Sequence, residues 1–224
     1  MFRSLLLVAL AGLTFSACDT TDPVDPPNLD VQTATNVYAP VAAAPPGPPV
    51  PPSGPFKLYS LRTNSVVANA DSASTSWDLG FRNTDIIVNG GTSGPGQGQA
   101  VVISAAFADV TAVPTGTVFR TDGDAAATCS NNVLRAICGG SAPANTQGWY
   151  TYTGAPPNGT NLILPTAGRT ILVRTADGAG YAKVQIRSYY QNAPATPVAG
   201  TDAPRYYTFD FVLNPAGTSF VPAQ

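Results

Sequence analysis

The sequence predicts an all-β protein: a single domain of many short antiparallel strands behind an N-terminal leader and tether. Three observations carry that prediction. Gly and Pro fill 21 and 22 of the 224 positions, so turns are frequent and long amphipathic helices are disfavoured. Charged residues make up 11% of the chain against 44% apolar, a balance that suits a packed core with little solvated helix surface. Short segments alternate apolar and polar residues with a period of two, as in Trp77-Asp78-Leu79-Gly80-Phe81. Once leader and tether are set aside, roughly 170 residues remain, enough for one domain with a real core.

Composition also excludes chemistry. All 13 acids are Asp, there is no His, and the single Met is the first residue. A Ser-His-Asp triad, a His-ligated zinc site and a bis-imidazole haem site are therefore ruled out. The net charge of -2 and the absence of any Lys/Arg cluster argue against nucleic acid as a partner.

Residues 1–17 read as a signal peptide: Arg3, an apolar run from Leu5 to Leu13, then Phe15-Ser16-Ala17 before Cys18. A cysteine directly after small residues resembles the lipobox of bacterial lipoproteins, with Cys18 as the lipidated first residue. The apolar run is too short for a transmembrane helix. Residues 18–55 are rich in Pro and Asp and read as a disordered tether, in which Pro45 to Pro55 favours polyproline II and reaches on the order of 30 Å. Within it, residues 29–41 are a candidate edge strand. Residues 56–224 form the domain.

Phe56 to Leu61 opens the domain, with Phe56 and Leu58 on one face and Tyr59 and Leu61 on the other. Ser65 to Ala68 is its hairpin partner. The next strand places Trp77, Leu79 and Phe81 on one face, and Thr84 to Val88 follows. Asn89-Gly90-Gly91 then supplies a turn, and Gly94, Gly96 and Gly98 let the loop run close to another backbone or to a ligand. Ala100 to Phe107 and Thr117 to Arg120 are further strands. Thr121 to Gln147 is small, polar and glycine-rich, and its Asp122 and Asp124 read as solvated turn residues. Asp78 and Asp85 read as turn caps or as partners of Arg82.

Cys129 and Cys138 are the sharp feature of that loop. After lipidation of Cys18 two thiols remain, and in an oxidising compartment a disulfide is the simplest pairing, worth about 2.5 kcal/mol by loop closure. A metal site is the alternative, but it needs two more ligands where there is no His and no further Cys. Gly148 to Tyr152 is the densest aromatic strand, with Trp149 and Thr151 facing one way and Tyr150 and Tyr152 the other. Its side chains either pack into the core or face a ligand. Arg169 to Thr175, Tyr181 to Gln191 and Arg205 to Leu213 complete the strands. In the second of these, Tyr181, Lys183, Gln185, Arg187 and Tyr189 share the face away from the core. In the third, Tyr207, Phe209, Phe211 and Leu213 share one face.

Three segments together resemble the HmuY-like family of haem-binding lipoproteins of Bacteroidota. They are Trp77-Asp78-Leu79 through Asn89, Gly91, Ser93, Gly94, Gly96 and Gly98; Val173-Arg174, Ala176-Asp177-Gly178 and Ala182-Lys183-Val184-Gln185; and Tyr207-Thr208-Phe209. The resemblance implies haem or a related tetrapyrrole as cofactor, bound between loops at one end of an all-β fold. It also implies a lipid anchor in the outer membrane, facing the periplasm or the exterior, and a TonB-dependent receptor as partner. In the family's best-characterised pattern two histidines ligate the iron, one from the region of Thr121 to Gln147 and one just after Gly148 to Tyr152. This chain has neither, and Thr153-Gly154 stands at the second place. Tyr phenolates are a known type of haem ligand, so Tyr150 and Tyr152, with Trp149 and Gly154 beside them, are the candidate ligand-binding residues; hydrophobic enclosure without an iron ligand is the other way the site could hold haem. No metal site and no catalytic residue is assigned, and the chain is read as a non-enzyme because no two Asp fall in a catalytic spacing. The alternative is a scaffold that has lost haem binding and takes another ligand or a protein partner.

Overall fold

The computed structural model describes residues 27–43, 51–126, 129, 134–140 and 148–222. The expected signal peptide, Cys18 and residues 44–50 of the expected tether lie outside the described residues. Eleven strands are described: β1 (Gln32–Tyr38), β2 (Lys57–Ser60), β3 (Ser65–Val67), β4 (Leu79–Arg82), β5 (Asp85–Val88), β6 (Gln99–Ile103), β7 (Tyr150–Tyr152), β8 (Ile163–Pro165), β9 (Thr170–Arg174), β10 (Tyr181–Tyr190) and β11 (Pro204–Asn214). They form a five-stranded sheet in the order β1-β11-β10-β9-β6, a four-stranded sheet in the order β3-β2-β4-β5, and the hairpin β7-β8. Every strand pairing is antiparallel. The chain is therefore all-β, as its turn-rich composition predicts.

The main core lies between the two large sheets. Tyr59, Leu79, Phe81 and Val88 of the smaller sheet meet Val173, Val184, Tyr207, Phe209 and Phe211 of the larger one. The alternation in β11 carries this contact, because Tyr207, Phe209 and Phe211 are all fully buried. The other face of the five-stranded sheet is covered too. Val110 and Phe220 pack on Leu172 and Val212 there, so β9 is buried on both faces.

Several elements differ from the sequence expectation. Residues 29–41 do contain an edge strand: β1 pairs with β11, so ordered structure begins inside the segment assigned to the tether. Trp77 precedes its strand and packs with Leu58 and Ile87 on the outer side of the smaller sheet, apart from Leu79 and Phe81. Thr117 to Arg120 forms no strand; Arg120 makes only an isolated bridge to Ala100. β8 was not anticipated. Lys183, expected on an open face, is 5% exposed, and its Nζ donates to the carbonyls of Phe107 and Val110 at 2.9 and 2.8 Å.

Two buried carboxylates tie loops to sheets. Asp78 accepts hydrogen bonds from Leu61 N–H at 2.9 Å and Ala176 N–H at 3.0 Å, which joins the two sheets at one end. Asp122, expected in solvent, is 1% exposed and accepts from Val88 N–H at 3.0 Å and Ala136 N–H at 2.9 Å. Backbone donors explain its burial, since they replace water around the charge. Asp85 pairs with Arg82 at 3.3 Å, as expected.

The glycine ladder closes around Asn89, which is fully buried. Asn89 Nδ2 donates to the carbonyls of Ser74 and Trp77, and its Oδ1 accepts from Gly96 N–H at 2.9 Å. A Cβ at Gly94 would lie 2.2 Å from Asn89 Oδ1, and one at Gly98 would lie 2.6 Å from the Asn89 carbonyl oxygen. The close approach that these glycines permit is thus to the chain itself.

Candidate functional site

Four tyrosines converge at the end of the fold where β10 stops and β11 begins. The tip of the β4-β5 hairpin, Asn83-Thr84, is held there by aromatic donors. Asn83 adopts a left-handed φ of 48°, which Asn tolerates better than most residues. Its side-chain Oδ1 accepts from the Tyr189 hydroxyl and its carbonyl from the Tyr207 hydroxyl, both at 2.8 Å. The Thr84 carbonyl accepts from the Trp149 indole N–H at 3.2 Å. The β7-β8 hairpin leans on the same end, where the Tyr190 hydroxyl accepts from Ile163 N–H at 3.0 Å.

These elements enclose an open cleft of about 390 Å³, lined by Tyr150, Tyr152, Tyr189 and Tyr190 with Asn83, Asn161 and Asp202 among its polar groups. Tyr150 and Tyr152, assigned to one strand face from the sequence, do line this one cleft. Trp149 lies behind it, 2% exposed, with its ring against Tyr150, Tyr189 and Tyr207. Gly154, with φ at 86°, turns the chain beyond β7 and does not line the cleft. Among the described residues, no group of three His, Cys, Asp or Glu side chains could hold a metal ion.

The sequence reading missed Tyr189, Tyr190 and Asn83. Strict alternation along β10 sends Tyr189 outward, but the register shifts after Ile186 and again after Ser188, which turns both Tyr189 and Tyr190 into the protein. The available signal was the adjacent aromatic pair at a strand end, because two neighbours cannot both face inward without such a bulge.

The hydroxyls differ in their freedom. Tyr152 donates to Asn161 Oδ1 at 2.8 Å, and Tyr189 and Tyr190 are engaged as described. Among the described residues, no hydrogen bond engages the Tyr150 hydroxyl. Burial raises the pKa of Tyr189, Tyr190 and Tyr207, and it pushes Tyr59 in the core below up to about 12. Each favours the neutral phenol when folded. Their contribution to stability is therefore complete below the ordinary Tyr value of about 10 and is lost as pH rises through the folded values. A thermal midpoint that holds steady up to about pH 10 and falls above it is expected. A midpoint unchanged well into the alkaline range would show that these phenols ionise without cost.

The disulfide helps to place the tyrosine strand. Cys129 and Cys138 are bonded, as expected, with Cα atoms 5.3 Å apart. The Cys138 carbonyl accepts from Trp149 N–H at 3.1 Å, and a Cβ at Gly139 would lie 3.0 Å from Tyr150 Cε1. The loop thus braces the entry to β7.

The family model for the HmuY protein matches residues 56–211. The chain belongs to the HmuY family. One similar solved structure is described as an HmuY-like heme-binding protein from Bacteroides vulgatus ATCC 8482; it is 13% identical, covers 72% of this chain and 85% of its own, and has a TM-score of 0.41. No match is found among curated proteins. In this HmuY-family chain the matched region runs from the start of β2 into β11, and so takes in every tyrosine of the cleft.

Proposed function

We propose that this chain is a haem- or tetrapyrrole-binding lipoprotein of HmuY type. In this reading Cys18 carries the lipid that holds it at the outer membrane, and a TonB-dependent receptor takes the ligand from it. Its role is binding and delivery, without catalysis. The observation that carries the reading is the four-tyrosine cleft, whose volume of about 390 Å³ lies within the usual range for organic ligands. Its aromatic walls suit a flat ring system, and its openness suits a ligand that must leave again. With no His and no Met beyond residue 1, the haem is held either by a phenolate on its iron or by enclosure alone, and Tyr150 is the residue of the four whose hydroxyl has no competing hydrogen bond among the described residues. A bound haem would meet Tyr150 at its iron and Tyr152, Tyr189 and Tyr190 at its ring.

Hemin titration of the full chain tests this. A Soret shift with quenching of Trp149 at micromolar hemin is expected, and Tyr150→Phe weakens binding by at least about tenfold, or about 1.4 kcal/mol. Tyr152→Phe has a smaller effect, since its hydroxyl is already engaged by Asn161. A second reading, a scaffold that has lost iron and takes another ligand, is favoured by the other three hydroxyls being occupied. No Soret change in wild type establishes that reading in place of the first.

A further inference from the structure

We propose that Arg205 is a carboxylate-binding subsite for the ligand of the tyrosine cleft, so that this ligand is a flat aromatic acid. The inference rests on the cleft being a ligand site and deepens that reading. Eight arginines fall among the described residues. Arg62, Arg82, Arg120 and Arg187 pair with Asp177, Asp85, Asp124 and Asp210. Arg135 and Arg169 donate to the hydroxyls of Ser93 and Ser104, and Arg174 to the Gly178 carbonyl. Arg205 alone has no side-chain hydrogen bond or ion pair among the described residues.

Its position is also costly. Arg205 has φ at 73°, a left-handed value that is strained for a long L-residue, and the backbone is pinned there by Ala39 N–H on the Arg205 carbonyl at 2.7 Å. Gly would sit there without strain. Arg205 lines a second cleft of about 500 Å³ with Tyr38, Ala42 and Pro52, and this cleft shares Asn83 with the tyrosine cleft. Arg205 is close enough that its charge acts to lower the Tyr189 phenol's pKa, against the larger effect of burial. The tyrosine cleft itself is lined by Asp202, which repels an anion. A flat acid seated among the tyrosines therefore directs its carboxylate past Asn83 toward Arg205. A guanidinium binds a carboxylate through two parallel charge-assisted hydrogen bonds, and Arg205, unpaired among the described residues, is the matching receptor.

The test has two arms on the full chain. In the first, the isotope-labelled protein is titrated with isophthalate while the arginine side-chain N–H signals are followed by NMR. A saturable shift at Arg205, larger than at the exposed, ion-paired Arg62 and Arg187, is expected. A shift at Arg205 no larger than theirs overturns the proposal. In the second arm, hemin is compared with its dimethyl ester, whose carboxylates are masked. Wild type prefers the free acid by at least about tenfold, and Arg205→Gly loses the preference while keeping or raising Tm. Hemin binding with no preference for the acid overturns the Arg205 subsite and leaves the haem reading intact. An Arg205 shift with isophthalate but no hemin binding supports the subsite and overturns the haem reading.

Discussion

Asn89→Ala is expected to lower the unfolding free energy by about 2 kcal/mol or more, the largest effect of any single side-chain truncation in the glycine-rich turn. The side chain satisfies three backbone groups: the buried carbonyl of Trp77, and the partly buried carbonyl of Ser74 and N–H of Gly96. An unpaired buried group costs about 1–3 kcal/mol, which the Trp77 carbonyl bears in full and the two partly buried groups bear in part. Such a loss is a large part of the 5–15 kcal/mol that typically holds a domain folded. Asn89→Asp separates hydrogen bonding from packing. It keeps the shape and the acceptor for Gly96 but turns an oxygen toward two carbonyl oxygens, so it is expected to be at least as damaging as Ala. Urea unfolding read by Trp fluorescence checks both variants. If Asp is tolerated while Ala is not, packing and not hydrogen bonding governs the site.

That asparagine shows what the sequence could and could not convey about the fold. The spacing of Gly94, Gly96 and Gly98 announces a close approach, and the approach is real. Its object, the Asn89 side chain and backbone, is not legible, because it depends on where a residue five or more positions earlier comes to rest. Local periodicity served well for the aromatic face of β11, where Tyr207, Phe209 and Phe211 share the core. It failed where both faces are covered: Lys183 looks solvent-facing by alternation, yet the turn at Phe107 to Val110 and Phe220 cap it. At β1 the candidate edge strand of residues 29–41 is present, while its register with β11 is set by long-range pairing that no local pattern encodes.

The site was legible in the same partial way. Tyr150 and Tyr152 could be placed on one strand face because β7 is short and regular. Their partners in the cleft could not, because Tyr189 and Tyr190 are turned inward by irregularities in β10 and Asn83 arrives on a hairpin tip from the other sheet. Asp122 was misjudged for a related reason. A loop carboxylate becomes buried when N–H groups from two distant elements, β5 and Ala136, converge on it, and one-dimensional spacing does not encode such convergence.

Asp78→Ala is expected to cost about 2–6 kcal/mol, because it orphans the N–H groups of Leu61 and Ala176 at once. These two bonds connect the end of β2 to the turn after β9, so their loss also frees the smaller sheet from the larger at that corner. Asp78→Asn retains one acceptor and faces the other N–H with an amide N–H, so an intermediate loss is expected. The pH dependence separates charge from geometry. Burial raises the Asp78 pKa above its ordinary value, against the smaller lowering effects of its two backbone donors and Arg62. A raised folded pKa means that the protonated form favours the native state. Its contribution is fully present below the unfolded value and is lost as pH rises through the folded one. Wild type should therefore gain stability relative to Asp78→Asn as pH is lowered from neutral toward about 4. The Asn variant cannot titrate at this position and supplies the baseline. Matched urea titrations at neutral and acidic pH measure the difference. A gap that stays constant with pH means that the two backbone donors fully offset the loss of hydration at Asp78, and a gap that moves the other way means that they outweigh it.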